Sequence, residues 1–276
     1  MLSSFRTFRR LLKWRKRNRH FFVELKEREA LGVRKQEIPP IVFQTASTRL
    51  VDDEQLEEIQ RYRAMNPNLA FLFFDDEQME LYMRENWRQH PIWDLFERAR
   101  FPQVKTDLFR YCLIFDRGGY WLDINKGIFS DLSSFHQPSD HGLIAYERND
   151  AVIFPDSAAA RRMREPHKIV IQWAFGFRPG HPIMRDALAQ VVEHAPWFDG
   201  VTFKNVREAV FAFSGPGLFT KVVRNYLREY GDVGLAQAGV DWDGTSMFRL
   251  RGSHRRQSKP PHYASAKSET ILGGAG

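Results

Sequence analysis

The chain of 276 residues contains a single cysteine, Cys112, and no long run of apolar residues. One cysteine cannot form a disulfide within the chain, and its scarcity is typical of proteins from reducing compartments. A membrane-spanning helix needs about 18 or more consecutive apolar residues, and a secretory signal needs an apolar core near the N-terminus. Neither feature is found, so we expect a cytoplasmic protein without a transmembrane anchor. Cys112 is expected to be a small core residue of a helix.

Excess positive charge is confined to one end of the chain. The formal net charge is +7, from 41 Lys and Arg against 34 Asp and Glu. Residues 1–36 hold twelve of the basic residues and three of the acidic ones, so the rest of the chain is close to neutral. Hydrophobic residues make up 43% of the sequence, which is enough to fill the core of one large α/β domain. We therefore expect a folded body preceded by a basic segment.

Residues 1–36 are predicted to form a basic amphipathic segment. Leu2, Phe5 and Phe8 share one face of a helix, and basic residues surround that face and continue to Arg19. The favoured interpretation is attachment to an anionic membrane surface, which would place the protein peripherally on the inner face of the membrane. Two alternatives stay open. One is a solvated helix or disordered leader, and the other is contact with nucleic acid without sequence preference.

Strands and helices are predicted to alternate after this segment. Residues 38–44 and 69–74 are short apolar runs of strand character, and residues 51–65 and 76–87 have the composition of helices. Such alternation is typical of an α/β domain with parallel strands. Asp75 stands at a junction of strand and helix, where capping of the helix is favoured over contact with a ligand.

A helix that ends at a glycine pair is predicted before the most informative part of the chain. Apolar residues from Val104 to Phe115 recur at the spacing of one helix face. Asp107 lies at the edge of this apolar stripe, and Arg110 lies further round the helix. The Gly-Gly pair that follows favours a left-handed turn, which ends the helix.

A short apolar strand is predicted next, and it leads to Asp123 and Asn125. Strand alternation predicts that these two side chains lie on the same side. Ligands of α/β sheets collect at the carboxyl ends of strands. A carboxylate beside an amide oxygen suits a hard cation such as Mg²⁺ or Mn²⁺, and such cations bridge phosphate oxygens. Asp123 and Asn125 are therefore candidate metal ligands.

These residues resemble the sugar-binding region of the family 32 glycosyltransferases, which include Golgi outer-chain mannosyltransferases and bacterial capsular and lipopolysaccharide sugar transferases. The family pattern has Ser-Asp, then Arg-Tyr, then Gly-Gly with an aromatic, and finally Asp-x-Asp. The matching residues are Thr106-Asp107, Arg110-Tyr111, Gly118-Gly119-Tyr120 and Asp123-Ile124-Asn125. The chain departs from the pattern at Asn125, which stands where the family usually has its second aspartate and carries no charge.

The resemblance implies the fold and the division of the chain. The expected fold is α/β, a GT-A-like, Rossmann-type nucleotide-sugar-binding domain with a mixed central sheet. That domain is expected over residues 37–267, after the basic segment 1–36 and before a flexible tail, 268–276.

The resemblance also implies a reaction. This is metal-dependent transfer of a sugar from a UDP- or GDP-sugar to a hydroxyl of a glycan acceptor, with retention of configuration, in surface polysaccharide synthesis such as that of a capsule. Mn²⁺ or Mg²⁺ on Asp123 would neutralise the diphosphate. Arg110 would add a fixed positive charge, and Asp107 would accept hydrogen bonds from sugar hydroxyls. Asp123, Asp107 and Arg110 are the predicted catalytic residues.

Further donor contacts follow from the same resemblance. Gln44 and Thr45 end the strand that borders the nucleotide in the family, and Tyr120 is the aromatic of the central motif. Ser214 and Gly215 begin a glycine-rich turn at the start of a helix, where backbone amides suit phosphate. Together with Asp107 and Arg110, they complete the predicted donor-binding set.

Late histidines and one apolar segment are weaker candidates. In many metal-dependent sugar transferases a late histidine reaches the metal or the diphosphate, so His254 and His262 are candidate ligands, with a surface histidine as the alternative. Gln172 and Trp173 precede a Gly-His-Pro segment that borders the acceptor in such enzymes, and a core role for Trp173 stays open. His181 in that segment is predicted to be a turn and cap residue.

Two functions of other classes also stay open. The departure at Asn125 allows a degenerate transferase fold that binds nucleotide-sugar or glycan without turnover. The basic segment allows a scaffold that docks on a membrane through residues 1–36. No specific nucleic-acid partner is expected.

Overall fold

The computed structural model describes residues 21–32, 35–148, 157–255 and 263–274. Helices and strands alternate over most of this length, as the sequence predicts. The strands are β1 (Phe22–Glu24), β2 (Ile41–Thr45), β3 (Leu50–Asp52), β4 (Ala70–Phe74), β5 (Gly119–Leu122), β6 (Gly127–Ile128), β7 (Gly142–Tyr146), β8 (Ala174–Phe177), β9 (Leu235–Val240) and β10 (Ser246–Met247). The α-helices are α1 (Asp53–Ala64), α2 (Asp76–Trp87), α3 (Pro91–Arg98), α4 (Pro102–Arg117), α5 (Ser157–Ala160), α6 (Pro182–His194), α7 (Val206–Phe213) and α8 (Pro216–Tyr230).

A six-stranded mixed sheet of order β4-β2-β5-β8-β7-β9 forms the centre of the described part. β2 is parallel to β4 and to β5, whereas β8 runs antiparallel to both β5 and β7. β9 is parallel to β7 and closes the far edge. The α/β fold with a mixed central sheet, predicted from the sequence, is confirmed. β9 is not predicted from the sequence, because several of its residues (LAQAGV) have low strand propensity.

Two hydrophobic clusters cover the two faces of this sheet. Strand alternation divides neighbouring residues between them: Phe43 and Trp121 face one cluster, and Val42 and Leu122 face the other. Helices α2, α3, α4, α6, α7 and α8 pack on the first face. Helix α1 packs on the second face, together with the two small antiparallel pairs β1–β3 and β6–β10. Cys112 is buried in the first cluster, as predicted.

Helix α4 leads directly into β5, the strand that carries the central motif. Gly118 caps the helix with a φ of +62°, and its amide donates to the carbonyl of Ile114 at 2.9 Å. A Cβ on Gly118 would lie 2.6 Å from Cδ of Pro179, so a larger residue has no room there. The glycine pair therefore lets one continuous segment cover the sheet and then enter it.

Two predicted helix caps are confirmed. The carboxylate of Asp75 accepts the amide of Gln78 at 2.9 Å, and the side chain of Gln78 accepts the amide of Asp75, which is a complete capping box. Nδ1 of His181 accepts the amide of Ile183 at 3.1 Å. Its Nε2 lies 2.9 Å from Nδ1 of His141, and this contact ties α6 to the start of β7.

The helix predicted over residues 1–36 is wrong where the structure describes that segment. Residues 22–24 form β1, which pairs antiparallel with β3. Leu25 is fully buried, and the guanidinium of Arg28 donates to backbone carbonyls of Asn66 and Leu69 after α1. Pairing with β3 and these contacts hold the chain extended. The amphipathic part of the prediction, residues 1–20, lies outside the described residues.

None of the described helices is both long and apolar enough to cross a membrane. The longest, α4, has 16 residues, and its buried face includes charged side chains.

The flexible tail predicted for residues 268–276 is wrong up to residue 274, where the described chain ends. Ile271 and Leu272 are completely buried in the first hydrophobic cluster. The amide of Arg100 donates to the carbonyl of Ile271 at 3.0 Å, and the amide of Gly273 donates to the carbonyl of Arg98 at 2.7 Å. Burial of two aliphatic side chains therefore anchors the segment between α3 and α4.

We expect Leu272→Ala to lower the free energy of unfolding by about 2–5 kcal/mol, because it empties a buried site that neighbouring side chains fill only in part. Urea denaturation of the full chain measures this change. Val233→Ala is the matched control, since Val233 is 86% exposed and its loss should change stability by less than about 0.5 kcal/mol. Equal stability of the Leu272 variant and the original protein would show that the segment is not anchored.

Candidate functional site

The guanidinium of Arg110 joins the two acids of the central motif. Its Nη2 lies 3.3 Å from Oδ1 of Asp107 and 3.4 Å from Oδ1 of Asp123. Its Nη1 donates to the carbonyl of Gln172 at 2.8 Å, and the group lies over the indole of Trp121, 4.9 Å from the ring centroid. The structure therefore brings together Asp107, Arg110 and Asp123, the three predicted catalytic residues, at the carboxyl end of β5.

Asp107 is the inner acid of this group. Its side chain is 8% exposed, and its Oδ2 accepts a hydrogen bond from the hydroxyl of Ser214 at 2.9 Å. Burial raises the pKa of Asp107 from 3.8 to about 7, although Arg110 and Ser214 both act to lower it. Since both oxygens have partners in the protein, direct contact of Asp107 with a sugar hydroxyl stays a prediction.

Asp123 is the outer acid, and its side chain is 28% exposed. Oδ1 accepts a hydrogen bond from Nε1 of Trp121 at 2.8 Å and faces Arg110. Among the residues that the structure describes, no hydrogen bond or ion pair involves Oδ2. Arg110 and Trp121 thus fix one oxygen and leave the other available to a ligand.

The predicted strand alternation from Asp123 to Asn125 is wrong, because β5 ends at Leu122. Residues 123–126 form a turn, in which the amide of Lys126 donates to the carbonyl of Asp123 at 2.9 Å. The carbonyl of Asn125 accepts the amide of Leu250 at 2.9 Å, so the turn also contacts the segment after β10.

The described site offers few protein oxygens as ligands for a divalent cation. In the described part of the chain, no group of three His, Cys, Asp or Glu side chains is arranged to hold a metal. Asp123 offers one oxygen, and Asn125 stands two residues further along the same turn. Mg²⁺ is often held by one or two carboxylates together with substrate phosphates. The residues therefore fit a cation that binds together with a nucleotide.

The structure does not show either late histidine together with Asp107, Arg110 and Asp123 in the described part of the chain. His254 is exposed. It lies in a segment held against α1, where Arg251 Nε donates to Glu58 at 2.6 Å and Arg255 Nε donates to Asp52 at 2.7 Å. His262 lies outside the described residues. The metal roles of both histidines stay predictions.

Gln44 and Thr45 end β2 beside β5, but their side chains bond within the protein. Gln44 is completely buried, and its amide nitrogen donates to the hydroxyl of Tyr62 at 2.9 Å. Its oxygen accepts from Arg63 at 3.2 Å. The hydroxyl of Thr45 donates to the carbonyl of Phe74 at 2.6 Å. Their contact with a nucleotide stays a prediction.

Tyr120 lies on the other side of the sheet from Arg110. It belongs to the second hydrophobic cluster, and its hydroxyl lies 2.6 Å from Nε2 of His136. Gln36, which precedes the start of β2, donates to the same hydroxyl at 3.1 Å. These partners place the phenol near the amino end of the parallel strands, whereas Asp123 follows the carboxyl end of β5.

The Ser-Gly-Pro-Gly turn at the start of α8 is joined to the site by hydrogen bonds of Ser214. The amides of Ser214 and Gly215 both donate to the carbonyl of Val210, at 3.1 and 2.9 Å. The carbonyl of Ser214 accepts from the amide nitrogen of Gln172 at 2.7 Å and from the hydroxyl of Tyr111 at 2.9 Å. Ser214 thus joins α8 to Asp107, and the predicted contact of this turn with phosphate stays a prediction.

Gln172 and Trp173 border the same group of residues. The carbonyl of Trp173 accepts the amide of Asp123 at 2.8 Å, which holds the motif beside the segment before β8. Trp173 is 6% exposed and belongs to the second cluster, so a core role is confirmed for it.

Three further residues near the site are not among the site residues predicted from the sequence. Lys126 is 7% exposed, and burial lowers the pKa of its ammonium to about 8, although Asp123 acts to raise it. The register of β6 and β10 places Phe248 beside it. Burial and then Asp107 raise the pKa of Tyr263, which comes from the C-terminal segment. Of these three residues, only Lys126 could have been predicted from the sequence, because it directly follows the Asp123-Ile124-Asn125 motif.

The chain is similar in sequence to mannosyltransferases, although no family profile matches it. It is 22% identical over 206 residues to the initiation-specific alpha-1,6-mannosyltransferase of Schizosaccharomyces pombe, covering 71% of this chain and 50% of that protein. It is 26% identical over 186 residues to the protein of the same name from Candida albicans, covering 61% of this chain and 46% of that protein. The chain thus spans about half the length of these curated relatives.

Similarity in structure decides the fold. The chain matches the solved PaToxG glycosyltransferase with a TM-score of 0.51 at 13% sequence identity, over 72% of each chain. This chain has a glycosyltransferase fold. Asp123 follows β5, which lies inside the mixed sheet of this fold.

We expect Arg110→Met to lower the free energy of unfolding by about 3–5 kcal/mol, because it leaves the buried carboxylate of Asp107 without its cation. The loss should grow between about pH 6 and about pH 8. In the original protein Asp107 holds a proton up to a pKa of about 7, whereas the unfolded chain releases it near 3.8, so the contribution of Asp107 to stability falls as pH rises between these two values and is constant above them. Arg110 lowers the pKa of Asp107, so without it the fall in stability continues above pH 7, and the difference from the original protein is larger at pH 8 than at pH 6.

Urea denaturation at both pH values measures this effect, and Asp107→Asn with Arg110→Met is the matched double variant. The amide cannot ionise, so most of the added pH dependence should disappear in the double variant. A loss that is the same at both pH values, or no loss at all, would contradict the assigned contacts.

Proposed function

We propose that the protein transfers a sugar from a nucleotide-diphosphate donor to a hydroxyl of a glycan acceptor. The observation that carries this proposal is the fixed carboxylate of Asp123 at the end of β5, with Oδ1 held by Trp121 and Arg110. The glycosyltransferase fold supports it, and the names of the relatives favour mannose as the sugar. Because the chain spans about half of those relatives, donor and acceptor are proposals for this chain.

The residues of the site divide the work of such a reaction. A divalent cation, Mn²⁺ or Mg²⁺, would supply Lewis-acid neutralisation of the diphosphate when bound. Asp123 and Asn125 would hold it through oxygen atoms. Arg110 fixes the direction of the Asp123 carboxylate, and Asp107 with Ser214 fixes Arg110.

Retention of configuration is part of the proposal. None of the side chains at the described site is a clear covalent nucleophile for the sugar, since Asp107 is buried behind Arg110. We therefore assign the deprotonation of the incoming hydroxyl to the leaving phosphate, on the face that the phosphate occupies. We further propose that the reaction contributes to surface polysaccharide synthesis. The proposed location is the cytoplasm, with attachment to an anionic membrane through residues 1–36.

One observation favours a second function, which is binding of a nucleotide-sugar without turnover. The turn offers a single carboxylate, and Asn125 adds no charge. A weakly held cation would allow recognition but slow the chemistry. Release of nucleoside diphosphate distinguishes the two functions, because only turnover produces it.

A screen of GDP-mannose and UDP-sugars for release of nucleoside diphosphate with Mn²⁺ tests the proposed reaction. We expect Asp123→Asn to lower the rate by about 100-fold or more, as does loss of other groups that stabilise transition-state charge. Its stability should change by no more than about 1 kcal/mol, because the amide oxygen still accepts from Trp121.

Asp232→Asn is the matched control, since Asp232 is exposed and distant in sequence from the motif. It should leave the rate unchanged. Full activity of the Asp123 variant would show that the reaction, if present, takes place elsewhere on the protein.

A further inference from the structure

A buried ammonium group lies beside the open carboxylate. Lys126 closes the turn that Asp123 begins, and its side chain is 7% exposed. Its Nζ lies 3.0 Å from the ring centroid of Phe248 and 5.7 Å from that of Trp173. Two aromatic rings thus lie near the ammonium, which belongs to the same turn as Asp123.

Within the part of the chain that the structure describes, this ammonium forms no hydrogen bond and no ion pair. Asp123 and Glu147 attract it electrostatically and Arg249 repels it, but the structure shows no acid within ion-pair distance. A buried cation is costly unless a partner satisfies it. Aromatic rings offset part of that cost, yet they do not accept the protons of an ammonium as oxygens do.

The charges of the turn indicate which kind of ligand the ammonium of Lys126 would bind. A turn with two aspartates would carry two negative charges and would need a cation before an anion could approach. Here Asp123 contributes one negative charge, Asn125 none, and Lys126 one positive charge. Such a turn attracts phosphate oxygens directly, since an ammonium offers three donors to an anionic acceptor.

We propose that Lys126 binds the diphosphate of the nucleotide-sugar donor directly, so that donor binding has a component that needs no metal. This inference rests on the proposed function, because it assigns Lys126 to the same site. Asn125 belongs to the same arrangement: with no charge at that position, the ammonium stays free for phosphate. Phe248, 61% exposed, covers the ammonium from solvent at the rim of the site.

The test is calorimetric titration of the full chain with GDP and with UDP, each in EDTA and in Mn²⁺. Lys126→Met keeps an unbranched apolar side chain between Phe248 and Trp173 and removes only the charge. We expect it to weaken binding of the preferred diphosphate in EDTA by about 10- to 100-fold, as expected for one lost charge-assisted hydrogen bond. The affinity of Lys126→Met for GMP or UMP, each of which has a single phosphate, should fall much less than its affinity for the diphosphate.

Two variants control for effects on the fold. Lys126→Arg keeps the charge and should retain more affinity than Lys126→Met. Lys204→Gln removes an exposed lysine, and its affinity should equal that of the original protein. Because a role limited to packing would change diphosphate and monophosphate binding alike, the ratio of the two affinities separates packing from recognition.

The outcomes also separate this inference from the proposed function. If the original protein binds neither GDP nor UDP under any condition, the proposed function is wrong. If it binds one of them and Lys126→Met binds it equally well in EDTA, the proposed function stands and the role of Lys126 is overturned.

Discussion

The candidate site depends on one buried cation, the guanidinium of Arg110. Buried charges are tolerated where opposite charges and hydrogen bonds surround them. Arg110 meets this condition with two carboxylates, one carbonyl and the face of an indole, which come from α4, the end of β5 and the segment before β8. These contacts hold the helix and the strand that carry the motif, which are joined by the turn at Gly118, in the observed arrangement. Packing and site geometry are therefore fixed together.

The two acids differ because their surroundings differ. Asp107 is enclosed, its pKa is raised by burial, and Ser214 holds its second oxygen. Asp123 follows the end of the strand and keeps one oxygen open to a ligand. The inner acid thus holds Arg110, and the outer acid is partly exposed. In the same turn Asn125 carries no charge and Lys126 adds a positive one.

Local sequence was sufficient for the helix, the glycine turn and the strand, because their contacts span few residues. The resemblance to the family 32 motif predicts Asp107, Arg110 and Asp123 as one site. Local sequence failed where distant segments decide the structure. The amphipathic pattern near the N-terminus was extended to residues that in fact pair with β3. The C-terminal sequence predicts a flexible segment, whereas packing buries Ile271 and Leu272. No local pattern predicts that Tyr263 lies near the two acids.

The central claim is that the open oxygen of Asp123 and the ammonium of Lys126 receive one nucleoside diphosphate. A crystal structure of the full chain with GDP or UDP and Mn²⁺ tests it most directly, because manganese gives an anomalous signal. The account predicts phosphate oxygens at hydrogen-bond distance from Nζ of Lys126, and the manganese peak at Oδ2 of Asp123. A diphosphate bound elsewhere, with Asp123 and Lys126 touching only protein or solvent, would contradict it.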